Sequence, residues 1–426
     1  MLQWSGMVPD RRESCMRAPV LSVLLLTAVA CGEDSLELLQ EEASDCPEAP
    51  AMRLGAAPSA AVVLNAYYLQ EEATRDLRRG RTESPVVEET LAKASALGAH
   101  AVRTTGYNDA ADKRGDSAMQ VAPLEYDEVA LRGLDLVLTR AAAYGVKLIL
   151  PLGNYWDAYG GARRYVEWAG LPSPVEGDPR FFTERAVIDH YKAHVARLLS
   201  RENTFDGLRY GEHPAVLAWE LLNEPRGKGL DTDGVAMRAW VDEVAAVVKQ
   251  YAPGHLVGTG EEGFDTSLAG YDELFWRSAA SSPFFEGGSS FRRNTASPFI
   301  DFASVHFYPE AYGVKQEEMA RAGAHWFFEH AAIARDVGKP LFIGEFALRN
   351  QEGFSLDERR AMYRGWFRCA WRTGAGASGP WMFANDARPD DWDEFTFYYR
   401  DGTVPADSRN RYADLVVESA ALSGTR

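Results

Sequence analysis

The sequence predicts a single (β/α)8 TIM barrel, an α/β fold, and three observations carry that prediction. From Ala61 onward short apolar runs alternate with helix-period segments; there are eight such runs; and no phosphate-binding loop follows the first of them. Eight βα units fit the space available, since barrels of this class run roughly 200 to 400 residues as one domain. A doubly wound open sheet needs a glycine-rich turn after strand one, where this chain has Asn65-Ala66-Tyr67-Tyr68.

Residues 1–30 stand outside that fold. Arg17 precedes an apolar run over 20–30 centred on Leu24, Leu25 and Leu26, which is too short to span a bilayer and fits an export signal, with Met16 as an alternative start. The run closes on Ala28-Val29-Ala30-Cys31, similar to the lipobox of bacterial lipoproteins. A lipid anchor on Cys31 and plain signal-peptide cleavage are both open, and either places the protein outside the cytoplasm, secreted or on the cell surface. Over 31–60 seven acidic residues face one base, Arg53, and Pro47, Pro50 and Pro58 discourage regular structure, so a flexible acidic linker is expected there. The barrel domain then takes 61–426. Two cysteines, Cys46 and Cys369, remain beyond the export segment: one bridge or two packed thiols fit equally.

The strand runs are 61–65, 100–104, 147–152, 216–223, 255–259, 300–306, 341–346 and 379–383. Helix-period segments lie between them at 88–97, 126–144, 184–199, 235–251, 316–337 and 356–371. In the second of these, Leu131, Leu134, Leu138 and Ala142 form one stripe.

Strand four organises the site. Val216, Leu217, Trp219, Leu221 and Leu222 read as a strand covered on both faces, yet it delivers Asn223 and Glu224 before Pro225 stops it. Strand seven repeats the construction, with Leu341, Phe342 and Ile343 running into Gly344 and Glu345. In a barrel the polar residues at strand ends gather at one face. Those residues are Arg103 after strand two, Asn154 and Trp156 after three, Asn223 and Glu224 after four, Glu262 after five, His306 and Tyr308 after six, Glu345 after seven, with Trp381 in strand eight. Two carboxyls across such a mouth suit glycosidic bond cleavage, one as proton donor and one as nucleophile. Arg103 is the cation expected to keep Glu345 ionised, and an apolar surround the means of keeping Glu224 protonated. Trp381 and Trp156 offer flat faces for sugar rings; Tyr67 and Tyr68 read more simply as packing.

The ordered motifs VRTTGYND (102–109), MQVAPLEYDE (119–128), NYWDAYGG (154–161), AWELLNEPRG (218–227), HLVGTGEEGF (255–264), IDFASVHFYPE (300–310) and GEF (344–346) resemble glycoside hydrolase family 5 of clan A, and within it the endo-β-1,4-mannanase subgroup. The resemblance implies a retaining mechanism with Glu224 as acid/base and Glu345 as nucleophile. It also implies that Arg226 and Glu262 line the leaving-group side, and that the partner is a β-mannan: mannan, glucomannan or galactomannan. Two departures stand out. Strand eight reads GPWMFAND where a Phe-Trp-Gln-like sequence is usual, and Tyr155-Trp156 replace the usual second Asn. A β-glucan substrate and a non-catalytic glycan-binding role are the competing readings.

A formal charge of -17 makes nucleic acid and anionic membranes poor partners and a neutral polymer a good one. A monomer is expected, with no cofactor or metal. Gly258, Gly260 and Gly263 match a dinucleotide fingerprint only formally, because Glu261 and Glu262 would repel a pyrophosphate. His190 and His194 lie four apart on one helix face without a third ligand and read as a solvated surface.

Overall fold

The computed structural model describes residues 46–58, 61–109, 115–231, 233–265, 288–349, 354–384 and 395–398. The expected export signal, the lipobox cysteine and residues 31–45 lie outside the described residues. Eight parallel strands form the barrel: β1 (Ala61–Asn65), β2 (Ala101–Arg103), β3 (Lys147–Pro151), β4 (Val216–Glu220), β5 (Leu256–Gly258), β6 (Ala303–Phe307), β7 (Leu341–Phe346) and β8 (Ala377–Ser378). They pair in chain order, with β1 bonded to both β2 and β8. The seam between β5 and β6 closes through a parallel bridge, Gly258 to Phe302, and through Asp301 N–H donating to Val257 O at 2.7 Å.

Alternation along the strands explains where the site sits. Ala61, Val63, Ala101, Ile149, Ala218, Phe302, Phe342 and Ala377 fill the barrel's lower interior, while their neighbours Val62, Leu64, Val102, Leu148, Trp219 and Val305 pack outward on the helices. Two residues further along the same inward faces come Asn65, Arg103, Glu220 and Ser304, all buried. A polar layer therefore rests directly on an apolar plug.

Among the described residues the α-helices are α1 (Leu69–Arg78), α2 (Pro85–Ala96), α3 (Glu128–Tyr144), α4 (Gly161–Trp168), α5 (Arg180–Thr183), α6 (Arg185–Leu199), α7 (Val235–Tyr251), α8 (Phe291–Thr295), α9 (Met319–Asp336) and α10 (Leu356–Arg372). Local chemistry sets their ends. Asp127 accepts the Ala130 N–H at the start of α3 and left-handed Gly145 closes it, and Ser355 with Glu358 forms a capping box on α10.

Three expectations need correction. Residues 46–58 are no free linker: Ala49 N–H donates to Arg372 O at 2.8 Å, Met52 N–H to Gly374 O at 3.1 Å, and Leu54 with Ala57 is buried among the first residues of the strands. Burying one leucine contributes roughly 1.5–3 kcal/mol, enough to hold a strap that composition alone reads as tether. A Cys46–Cys369 disulfide, Cα–Cα 5.2 Å, fastens this strap to α10. Strand eight is Ala377–Ser378 rather than 379–383, so Trp381 lies beyond the sheet. His194 is fully buried, its Nδ1 3.1 Å from the Tyr126 hydroxyl, instead of facing water.

Candidate active site

Every residue expected at the mouth is found there, around a cavity of about 510 Å³ at the C-terminal ends of the strands. Asn154, Trp156, Asn223, Glu224, Arg226, Glu262, Tyr308, Glu345 and Trp381 line it. Arg103 and His306 form the buried floor just beneath.

Glu345 reaches the interior because β7 carries a bulge. Pairing with β6 runs Val305 to Ile343 and then His306 to Glu345, so Gly344 is the extra residue. Without it, alternation from inward-facing Phe342 would turn Glu345 out to the helices. Space there is tight, since a β-carbon at Gly344 would stand 3.0 Å from His306 Nε2 and the ring would have to give way. Glu345 Oε1 then accepts from Arg103 Nη1 at 2.5 Å, and Oε2 from the Tyr308 hydroxyl.

Glu224 is presented by a turn after β4. Its φ is 53°, left-handed for a side chain that rarely adopts it. Such a conformation costs on the order of 1 kcal/mol and persists only where surroundings hold it. Here Asn223 N–H donates to Gly153 O and Glu224 N–H to Gly260 O, each at 2.8 Å. Gly260 permits the approach: a β-carbon would lie 2.1 Å from Leu222 O. Glu224 Oε2 accepts from the Trp156 indole at 2.5 Å, and Oε1 lies 2.8 Å from His306 Nδ1. The same ring nitrogen is 3.6 Å from Glu345 Oε2, so one imidazole faces both acids.

Burial pushes both carboxyls above the ordinary value. Against it Glu345 has His306, Arg103 and the Tyr308 hydroxyl, while Glu224 has Arg226, the Trp156 N–H and Arg103 without a direct cation contact. Arg103 in contact makes Glu345 the better-supported anion. Burial lowers the His306 pKa, which favours the neutral ring, while the acids around it, Glu345 first, work the other way.

A carboxyl oxygen of each glutamate and a nitrogen of His306 lie within 4.8 Å of one another. A metal ion would find that spacing suitable, but Arg103, Tyr308 and Trp156 already take the carboxylate oxygens. Retaining glycosidases hold their carboxyls about 5–5.5 Å apart and inverting ones roughly 6.5–9.5 Å, and the close approach of one oxygen from each glutamate is compatible with the first arrangement.

The outer residues form two walls. On one side Arg226 pairs with Glu262 through two bonds of 2.5 and 2.7 Å and lies over Trp156, 4.5 Å from its ring centre. Tyr312 adds a hydroxyl bond to Glu262 at 3.2 Å. On the other side Trp381 stacks on Tyr67 at 5.3 Å with 8° between planes, which answers the departure in strand eight: Trp381 is the aromatic at the cavity. Asn154 serves from behind, its Oδ1 accepting from Asn223 Nδ2 at 3.1 Å.

Sequence reasoning missed Glu220, Tyr107, Tyr159 and Tyr312 and placed Tyr67 with packing. Glu220 was detectable as the lone charge in an apolar strand. Tyr68 does pack, its hydroxyl donating to Phe383 O at 3.0 Å.

Comparison with known proteins agrees with this geometry. Over 305 residues the chain is 36% identical to mannan endo-1,4-beta-mannosidase 1 of Oryza sativa subsp. japonica, covering 70% of this chain and 67% of that protein. Mannan endo-1,4-beta-mannosidase 2 of the same organism is 32% identical over 374 residues, 85% of this chain and 80% of the relative. The solved endo-beta-1,4-mannanase of Thermotoga petrophila superposes with a TM-score of 0.75 at 26% identity, covering 88% of this chain and 79% of that one. Residues 65–403 match the family model described as GH family 5 beta-mannosidase-like, and the chain belongs to that family of glycoside hydrolases.

Proposed function

We propose that this protein is a retaining endo-β-1,4-mannanase, a hydrolase of internal β-1,4-mannosidic bonds. The observation that carries the reading is the pair of carboxyls, one held by Arg103 and one without a direct cation, that line one cavity bounded by aromatic rings. Its relatives' shared activity on mannan supplies the substrate class.

In the first step Glu345 attacks the anomeric carbon while Glu224 gives its proton to the departing glycosidic oxygen, leaving a glycosyl ester on Glu345. Burial raises the Glu224 pKa, which favours the protonated form that this step needs. In the second step Glu224, now a carboxylate, takes a proton from water, which attacks the same carbon and frees Glu345. Arg103 and the Tyr308 hydroxyl hold the nucleophile in position, and Trp381, braced by Tyr67, offers a ring face to the sugar. Arg226, Glu262 and Trp156 form the wall on the leaving-group side. The acidic surface is compatible with an uncharged polymer.

The apolar run before Cys31 supports export and lipid attachment, with residues 31–45 as the tether and the strap from Cys46 as the start of the folded domain. Labelled fatty acid retained by the wild type and lost in Cys31→Ser is the expected sign of the anchor.

Incubation with linear mannan releases manno-oligosaccharides of several lengths, and Glu345→Ala stops release. Absence of new reducing ends from mannan, glucomannan and galactomannan would reject the reading, and faster release from a β-glucan would move the specificity.

A further inference from the structure

Glu220, the charged residue inside β4, has no part in the steps above. It is fully buried and does not line the cavity, so it cannot contact substrate. Its Oε2 accepts from Arg103 Nε at 2.7 Å, and its Oε1 accepts from the Ser304 hydroxyl at 3.4 Å. Arg103 spends its other two nitrogens on Glu345, at 2.5 Å, and on Asn223 Oδ1, at 2.7 Å. A lone Arg103–Glu345 pair would already be neutral. A second buried carboxylate on the same guanidinium leaves the floor one negative charge in excess, an arrangement that costs desolvation energy and does not arise as filling.

We propose that Glu220 is a positioning residue for glycosidic cleavage: it grips Arg103 along its Nε edge, aims the terminal nitrogens at Glu345 and Asn223, and keeps part of the guanidinium charge from Glu345. The inference rests on the reading of Glu345 as nucleophile. A carboxylate that owns a guanidinium outright is strongly stabilised and attacks poorly; one that shares it retains more of its basicity. The other groups facing Glu345 are His306, Glu224 and Tyr308, and Tyr107 also faces Arg103. Among the described residues the Nε edge of Arg103 is bonded to Glu220, while Glu345 and Asn223 take the terminal nitrogens.

The test compares the pH profiles of Glu220→Gln, Glu220→Asp and Ser304→Ala on a manno-oligosaccharide. In Glu220→Gln the guanidinium charge falls wholly on Glu345, so the acid limb of kcat/KM moves down by about one pH unit. Its kcat drops roughly 10- to 100-fold at unchanged KM, the pattern of an interaction expressed only in the transition state. Glu220→Asp, which keeps the charge, returns the acid limb to its wild-type position. Ser304→Ala removes a donor from Glu220, strengthens its hold on Arg103 and shifts the limb slightly upward. A folded Glu220→Gln protein with wild-type kcat and acid limb overturns the proposal while leaving the mannanase reading intact. Should Glu220→Gln not fold, an unmoved limb in Ser304→Ala overturns it equally. A wild type inactive on every mannan defeats both.

Discussion

At the scale of single residues the account turns on how two glutamates in one cavity differ. Both are buried, and the difference lies in their partners: a guanidinium and a phenol on Glu345, an indole N–H and the His306 ring on Glu224. Trp156→Phe deletes the bond that favours the Glu224 carboxylate, so its pKa rises further. Because Glu224 must be protonated to act, the alkaline limb of kcat/KM moves to higher pH in that variant; movement the other way would contradict the assignment. Glu224→Gln loses proton donation, worth about 10²- to 10⁴-fold on mannan. It keeps most of its glycosylation rate on an aryl mannoside whose leaving group needs no proton, a contrast visible in burst kinetics. The glutamates were legible from sequence because carboxylates end two otherwise apolar strands. Of the walls, Trp156, Arg226, Glu262 and Trp381 were legible too, but Tyr67, Tyr159 and Tyr312 were not: they sit in loops, where an aromatic aimed into a cavity cannot be told from one aimed into a core.

At the scale of elements, two small residues shape how the barrel closes and what it presents. Gly344 makes the bulge that turns Glu345 inward, and Gly258 lets the seam between β5 and β6 close on the Phe302 ring. A β-carbon at 258 would lie 2.3 Å from that ring. Gly258→Ala should therefore lower stability by about 1–3 kcal/mol, read as a reduced urea midpoint, since overpacked cores relax poorly. An unchanged midpoint would mean that the seam is looser than described. Most elements were foreseen, and the exceptions share a cause. The strand Ala377–Ser378 is built of small residues without an apolar signal, whereas Trp381, Met382 and Phe383, which carry one, have already left the sheet. Helix α1 escaped because its buried face holds Gln70, Glu71, Thr74 and Asp76, polar side chains satisfied by hydrogen bonds and ion pairs rather than an apolar stripe.

For the whole molecule, the strap and the buried acids set the conditions under which the barrel lasts. The disulfide closes a sequence separation of 323 residues, and removing both cysteines as Cys46→Ser with Cys369→Ser should cost about 2–4 kcal/mol. Catalysis at low temperature should persist, because the strap underlies the strand N-termini and the cavity lies at their other end. Burial pushes Glu261 up to about 8, with Asn294 and Thr259 as its partners. It pushes Asp109 up to about 7. Both folded values exceed the unfolded ones of 4.5 and 3.8, so their contribution is complete below those values and is lost as pH rises through 7 and 8. The melting temperature is expected to fall across that window, and Glu261→Gln, neutral at every pH, to flatten the fall. A melting temperature rising from pH 5 to 8 would contradict both assignments. Composition gave no warning of these groups, since an acidic residue reads as surface until its neighbours are known.

The central claim is that Glu345 and Glu224 act on one bond as nucleophile and acid/base, with retention at the anomeric carbon. Proton NMR of a manno-oligosaccharide digest in its first minutes, before mutarotation, reads the anomeric configuration of the new reducing end. The account predicts the β-anomer in excess; an initial excess of the α-anomer would contradict it.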